Sequence, residues 1–189
     1  MSVNKLNNSY NFIRLLQYQN NLGRRGKMFD FFKKKSMNNV EEIGSPIVGE
    51  AVLSSEISDP TFKEEMLGKG MAIKPEIGKV FAPADGTVAL VFDTLHAISF
   101  VTNKGAEILI HVGLDTVKLE GKHFTSHVSS GDVVKKGDLL LEFDIEGIKA
   151  DGYDTIVPIV ICNTDDYKEV VSKTGKSVKA QETVLELTK

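Results

Sequence analysis

From Ile43 onward, apolar residues come in short runs broken at close intervals by Gly, Asp and Pro, as in Gly44-Ser-Pro, Pro83-Ala-Asp-Gly, Ser130-Gly-Asp and Lys136-Gly-Asp. That spacing predicts an all-β domain, an antiparallel β-sandwich or barrel with a few short helices. Helical patterning is confined to 60–67, 114–119 and 164–174, the last opening on Thr164-Asp-Asp as an N-cap candidate. The two most regular β runs, 88–102 and 106–114, flank Asn103-Lys104-Gly105, a hairpin signal because Asn and Gly tolerate positive φ. A turn centred between Asn103 and Lys104 sets His96 directly opposite His111, with Cβ atoms about 4.5–5.5 Å apart. Alternation then assigns Ile108, Ile110, Val112 and Leu114, with Leu95, Ala97 and Val101, to the core face. The other face receives Thr94, His96, Glu107, Leu109, His111 and Asp115, together with Phe92, Ile98 and Phe100. Two imidazoles inside a ring of partly exposed apolar residues suggest a place where another protein docks. A three-residue loop or a bulge would instead slide the pair apart by one residue.

Length and charge sharpen this picture. A chain of 189 residues holds one ordinary domain with a real core, plus a tail. The net charge of −3 hides an asymmetry: residues 1–36 carry eight basic side chains against Asp30, or +7, which leaves −10 for 37–189. An acidic body argues against nucleic-acid binding and allows a partner with a basic surface. The division is therefore a flexible basic tail over 1–36 and a folded domain over 37–189. Within the tail, Met28-Phe-Asp-Phe-Phe-Lys-Lys-Lys combines aromatics with a lysine run, as a weak membrane-surface contact over 28–35 requires. The single cysteine, Cys162, excludes an intrachain disulfide and reads as a small buried hydrophobe. With no apolar run long enough to span a bilayer and no signal-peptide pattern, the expected location is the cytoplasm, at most peripheral to the inner face of the membrane.

Pro83-Ala-Asp-Gly-Thr-Val and Gly131-Asp-Val-Val-Lys-Lys-Gly-Asp-Leu-Leu-Leu-Glu-Phe resemble the half-motifs of biotinyl and lipoyl carrier domains. The hairpin-tip Lys104 lacks the flanking motif of a modified lysine. A longer resemblance surrounds the histidines. Ile108-Leu-Ile-His-Val-Gly-Leu-Asp-Thr-Val is similar to the phosphorylation-site signature of the glucose-type IIA components of the bacterial sugar phosphotransferase system. Gly44-Ser-Pro-Ile-Val-Gly-Glu, Gly70-Met-Ala-Ile-Lys-Pro, Phe81-Ala-Pro-Ala-Asp-Gly-Thr-Val, Thr94-Leu-His-Ala-Ile, Gly131-Asp-Val-Val-Lys-Lys-Gly-Asp and Thr155-Ile-Val-Pro-Ile-Val-Ile follow in that family's order, so the resemblance covers roughly 28–189.

The resemblance implies a β-sandwich of the duplicated hybrid motif type and a phosphocarrier. It receives phosphate from the phosphocarrier HPr and passes it to the IIB domain of a sugar permease. His111 would be the phosphorylated residue, His96 the companion that orients it and steadies the phosphoryl group, and Thr94 a hydrogen-bond partner of the pair. Phe62, Phe92 and Leu109 would lie on the docking surface, which the outer-face pattern extends to Ile98. No cofactor is required, although relatives bind zinc through the two histidines when a partner supplies a carboxylate. The chemistry suits the residue, because a neutral imidazole with a reference pKa near 6.5 is a competent nucleophile at neutral pH.

Some positions depart from the family pattern. Lys69 stands where relatives often carry an acid, and the basic extension has no counterpart. His123 and His127 form His-x-x-x-His, a spacing that gathers a metal only on a helix; Gly121 disfavours one, so both read as solvated surface histidines. A zinc peptidase of related β architecture would need a His-x-His pair, which this sequence lacks. A regulatory binder without phosphotransfer is the other alternative, and the presence of both histidines weighs against it.

Overall fold

The Gly and Asp punctuation becomes a succession of tight turns between short strands. The computed structural model describes residues 40–189. The readings of the 1–36 tail and of its 28–35 segment fall outside the described residues. In chain order the elements are β1 (Val40–Gly44), β2 (Gly49–Leu53), α1 (Pro60–Lys63), β3 (Lys69–Pro75), β4 (Lys79–Phe81), β5 (Gly86–Val91) and β6 (Ala97–Thr102). They continue as β7 (Glu107–His111), β8 (Phe124–Ser126), β9 (Val133–Val134), β10 (Leu139–Phe143), α2 (Ile145–Ala150), β11 (Val157–Ile161), β12 (Glu169–Ser172), β13 (Lys176–Val178) and β14 (Thr183–Thr188).

The strands form one eight-stranded sheet, ordered β13-β2-β3-β11-β7-β6-β5-β9, and two three-stranded sheets, β1-β14-β12 and β4-β10-β8. Pairing is antiparallel throughout, as expected for an all-β sandwich. One continuous core lies between the sheets, built around Phe100, Ile98, Ile108, Ile110, Ile159 and Leu140. Strand β11 is buried at all five positions because it lies inside the large sheet between β3 and β7. An unbroken Val-Pro-Ile-Val-Ile run is the composition such a strand needs. Beside it, burial pushes the Cys162 thiol up to about 12, so it stays protonated and unreactive.

Helix is scarcer than the pattern suggested. Helix α1 occupies only Pro60–Lys63, begun by Pro60 and capped by Asp59, whose Oδ1 accepts from Thr61 N at 2.8 Å. Residues 116–119 form a single 3-10 turn. The 164–174 expectation fails: a 3-10 turn spans only Thr164–Asp166, and its N-cap is Asn163 rather than Thr164. Glu169–Ser172 then continue as β12 because Val170 and Val171 pair with Leu187 and Glu186 of β14. Helix α2 was not foreseen, since Gly147 sits in its middle. Asp144 caps it, with Oδ1 accepting from Gly147 N at 3.0 Å.

The hairpin register is the correction that matters for function. Thr102 N donates to Ala106 O and Gly105 N to Thr102 O, closing a three-residue loop over 103–105 with Gly105 at φ 94°. Ala97, not His96, therefore stands opposite His111, and Ile98 opposite Ile110. One residue of slip turns the first strand over. Ile98 and Phe100 enter the core with Ile108 and Ile110, whereas Ala97, Ser99 and Val101 take the other face. Ile98 is 1% exposed and Leu109 0%, so neither can line a docking surface in this fold.

Candidate functional site

The paired histidines survive the slip because the chain leaves the strand just before it would separate them. β5 ends at Val91 and β6 begins at Ala97, so His96 precedes the first residue governed by the pleat. A tight turn joins the two strands, with Leu95 N donating to Phe92 O at 2.7 Å and Leu95 itself at φ 55°. Left-handed backbone at a leucine costs about 1–3 kcal/mol and persists where surrounding contacts over-determine it. Here the next residue is tied down, since His96 O accepts from Val112 N at 2.7 Å. The result places the two imidazoles edge to face, with centroids 4.8 Å apart and planes at 79°.

Each ring is held at Nδ1. His111 Nδ1 lies 2.8 Å from Gly113 O. A carbonyl oxygen only accepts, so in the neutral ring Nδ1 carries the proton and Nε2 the lone pair. His96 Nδ1 lies 2.6 Å from Thr94 Oγ1, a hydroxyl able to donate or accept. When Thr94 donates, His96 is left with a proton on Nε2. The structure thus brings together Thr94, His96 and His111, the three residues the sequence singled out, and adds Gly113, which sequence reasoning missed. The Gly following His111 by two in His-Val-Gly was the available signal.

Two phenylalanines extend the ring pair into a row of four. Phe62, delivered by α1, stacks on His111 at 5.1 Å and 57°, and Phe92 meets His96 at 5.5 Å and 63°. This apolar shell controls the charge of the site. His96, 5% exposed, is driven down to about 3, first by burial and then by the neighbouring His111. His111 is driven down to about 4 by burial, against upward pulls from its bond to Gly113 and from the Asp59 and Asp115 carboxylates. Both imidazoles are therefore neutral near pH 7, which leaves a nucleophilic nitrogen at His111.

His123 and His127 are placed differently. His123 Nε2 lies 2.9 Å from Asp151 Oδ2 and its Nδ1 3.8 Å from Asp144 Oδ2, with only 16% of the side chain exposed. His127 Nε2 bonds Glu142 Oε2 at 2.7 Å. They engage separate carboxylates rather than a shared centre, and His123 is less solvated than expected. Among the described residues no group of three or more His, Cys, Asp or Glu is placed to hold a metal ion. At the central pair, His96 and His111 would supply two imidazole donors of a tetrahedral zinc set, with Thr94 and Gly113 as outer supports. The remaining ligands would have to come from outside the described residues.

A sandwich of antiparallel sheets presenting two neutral, apolar-shielded imidazoles has the make-up of a histidine-centred group carrier. Comparison with known proteins agrees. Residues 41–167 match the family model described as phosphoenolpyruvate-dependent sugar phosphotransferase system, EIIA 1. A β-glucoside-specific EIIBCA component from Dickeya chrysanthemi is 50% identical over 147 residues, which is 78% of this chain and 23% of that protein. A glucose-specific EIIA component from Oceanobacillus iheyensis is 49% identical over 138 residues, 73% of this chain and 81% of the relative. The solved structure of glucose permease IIA from Mycoplasma capricolum superimposes with a TM-score of 0.73 at 34% identity, covering 84% of this chain and 99% of that one. The chain belongs to the EIIA 1 family of the phosphoenolpyruvate-dependent sugar phosphotransferase system, whose members carry phosphate. It spans less than a quarter of the length of the first EIIBCA relatives, where this domain is one part of a larger protein.

Proposed function

We propose that this chain takes a phosphoryl group from phospho-HPr onto Nε2 of His111 and passes it to the IIB domain of a sugar permease. The observation that carries the residue assignment is the 2.8 Å approach of His111 Nδ1 to Gly113 O, which leaves Nε2 as the lone-pair nitrogen. Transfer forms the bond from phosphorus to Nε2 as the bond to the donor's imidazole breaks in line, and the donor departs as a neutral ring. The proton on His111 Nδ1 stays with the Gly113 carbonyl, which offsets the positive character of the phosphorylated ring. His96 is the companion. With Thr94 donating to its Nδ1, its Nε2–H is the donor for a phosphoryl oxygen.

Docking would use Phe92 and the edge of the largely buried Phe62, 9% exposed, at the ends of the ring row. Met66 and Val117, exposed at 63% and 36%, lie in the same segments as Phe62 and Asp115 and take the place of the buried Ile98 and Leu109. The Asp59 and Asp115 carboxylates act on His111 and suit a donor with a basic rim. An apolar seal around the pair keeps water from the phosphoimidazole during transfer. Relatives of 44–50% identity include β-glucoside-, glucosamine- and glucose-specific components, which supports a reading in which sugar choice lies outside this domain. The described residues include no helix long and apolar enough to cross a membrane. Work at the cytoplasmic face beside a membrane permease, with weak surface attachment through 28–35, accords with this role. Zinc at His96 and His111 would form only with a partner's carboxylate.

Incubation with phosphoenolpyruvate, enzyme I and HPr, followed by intact-mass measurement, tests the reading. The wild type is expected to gain one acid-labile, base-stable phosphate, and His111→Ala none. Absence of any gain in the wild type beside phosphorylated HPr overturns it.

A further inference from the structure

Resting on that phosphocarrier reading, we propose that Thr116 and Asp154 are positioning residues. They clamp the two peptide groups on either side of Gly113 so that its carbonyl dictates which nitrogen of His111 is the nucleophile. The clamp is visible bond by bond. In the peptide between Val112 and Gly113, the carbonyl accepts from the Thr116 hydroxyl and the N–H donates to Ile156 O at 2.9 Å. In the next peptide, Leu114 N–H donates to Asp154 O at 3.1 Å, and the Gly113 carbonyl receives His111 Nδ1. Of the four polar ends, three are fixed by the protein and the fourth meets the imidazole. A trans peptide is planar, with its N–H and C=O pointing in opposite directions. Anchoring Leu114 N–H to residue 154 therefore aims the Gly113 oxygen away from that residue, toward His111.

Asp154 also stiffens its own end, since its Oδ1 accepts from Ile156 N at 2.8 Å and so braces the segment that supplies both anchoring carbonyls. Thr116 is fully buried and packs against Gly113. Gly113 has φ 76°, and a Cβ there would lie 2.5 Å from Thr116 Cγ2 and 2.6 Å from Asp154 O, so the two clamps close on the space a side chain would need. The arrangement joins strand β7, the turn after it and the entry to β11, segments about forty residues apart in the chain. A loose Gly113 carbonyl would release the proton from Nδ1 and let the ring take the other tautomer. That would place the lone pair on the wrong nitrogen and misplace the reacting atom.

The test uses the full chain and reads the ring directly. Imidazole nitrogen NMR of unphosphorylated wild type is expected to show His111 protonated at Nδ1. Thr116→Val should shift a substantial fraction to the Nε2–H form and slow phosphoryl acceptance by on the order of tenfold or more. Thr116→Ser should restore both. Asp154→Ala, at an exposed position, should produce the same tautomer shift to a smaller extent, with Asp154→Asn rescuing it; this pair decides the matter if Thr116→Val does not fold. A wild-type His111 protonated at Nε2, or variants that fold and keep both tautomer and rate, overturns the inference. A tautomer that responds to Thr116 or Asp154 in a chain that accepts no phosphate supports the clamp and overturns the phosphocarrier reading instead.

Discussion

The molecule holds two histidine pairs of similar make-up and opposite character. His96 and His111 face each other between Phe62 and Phe92, with Nδ1 contacts to a hydroxyl and a backbone carbonyl, and burial holds both rings neutral. His123 and His127 sit against carboxylates instead. Their partners show the consequence: hydrogen bonds from His127 and Lys79 hold Glu142 below the usual carboxylate range, and those from Lys122 and His123 do the same for Asp151. The comparison teaches what keeps an imidazole nitrogen available here. An imidazole in contact with a carboxylate has a ring nitrogen engaged by that partner. One deprived of that contact by an apolar wall keeps its lone pair for a substrate.

The sharpest way to break the comparison is to remove one ring of the neutral pair. His96→Gln should still allow His111 to take phosphate, but slow onward transfer to the IIB domain by about a hundredfold, as expected when a rigidly positioned ring donor is exchanged for a flexible amide. Rapid-quench transfer measurements check this, and a wild-type rate would remove His96 from the mechanism. Next in size is the apolar wall. Phe92→Asp introduces a carboxylate beside His96 and breaks the docking rim; acceptance from phospho-HPr should fall by about tenfold or more with the unfolding midpoint little changed. Unaltered transfer kinetics would contradict the role of the wall.

A third measurement concerns pH. Because both rings of the central pair titrate below the ordinary 6.5, at about 3 and about 4, the unfolded chain binds protons in a range where the native state does not. Their contribution to stability is full above about pH 7 and is lost as pH falls from about 6.5 toward 3, by on the order of a few kcal/mol. Urea midpoints across this range should show the decline, and a His96→Gln, His111→Gln double variant should flatten it. The smallest effect belongs to the other pair. His127→Gln removes a half-exposed hydrogen-bond contact with Glu142 and should leave phosphotransfer unchanged, lowering Tm by no more than about 3 °C in a thermal melt.

Legibility from sequence followed the range of the interactions involved. The spacing of Gly, Asp and Pro announced the β architecture, because turn chemistry is local. His-Val-Gly-Leu-Asp-Thr announced the site, because the carbonyl that orients His111 lies two residues away. Ile98 was misassigned because a single loop residue, counted or not counted at 103–105, reverses every side chain of the strand. Residues 164–174 were misassigned because pairing with β14 outweighs a local helix start. Lone Gly147, which argues against a helix, lies inside α2 where a Cβ would press on the His123 ring at 2.4 Å and force it to shift.

Taken by itself, the sequence determined the fold class, the acidic body and the candidate site residues, all of which depend on residue type and short spacing. Only the tertiary structure decided how the histidines meet. Register placed Ala97 opposite His111, and the left-handed turn at Leu95 brought His96 back to its partner. It also brought Asp154, some forty residues downstream, against the peptide whose carbonyl meets His111. Those outcomes rest on bonds between distant segments, whose geometry is set when the sheets close on a common core.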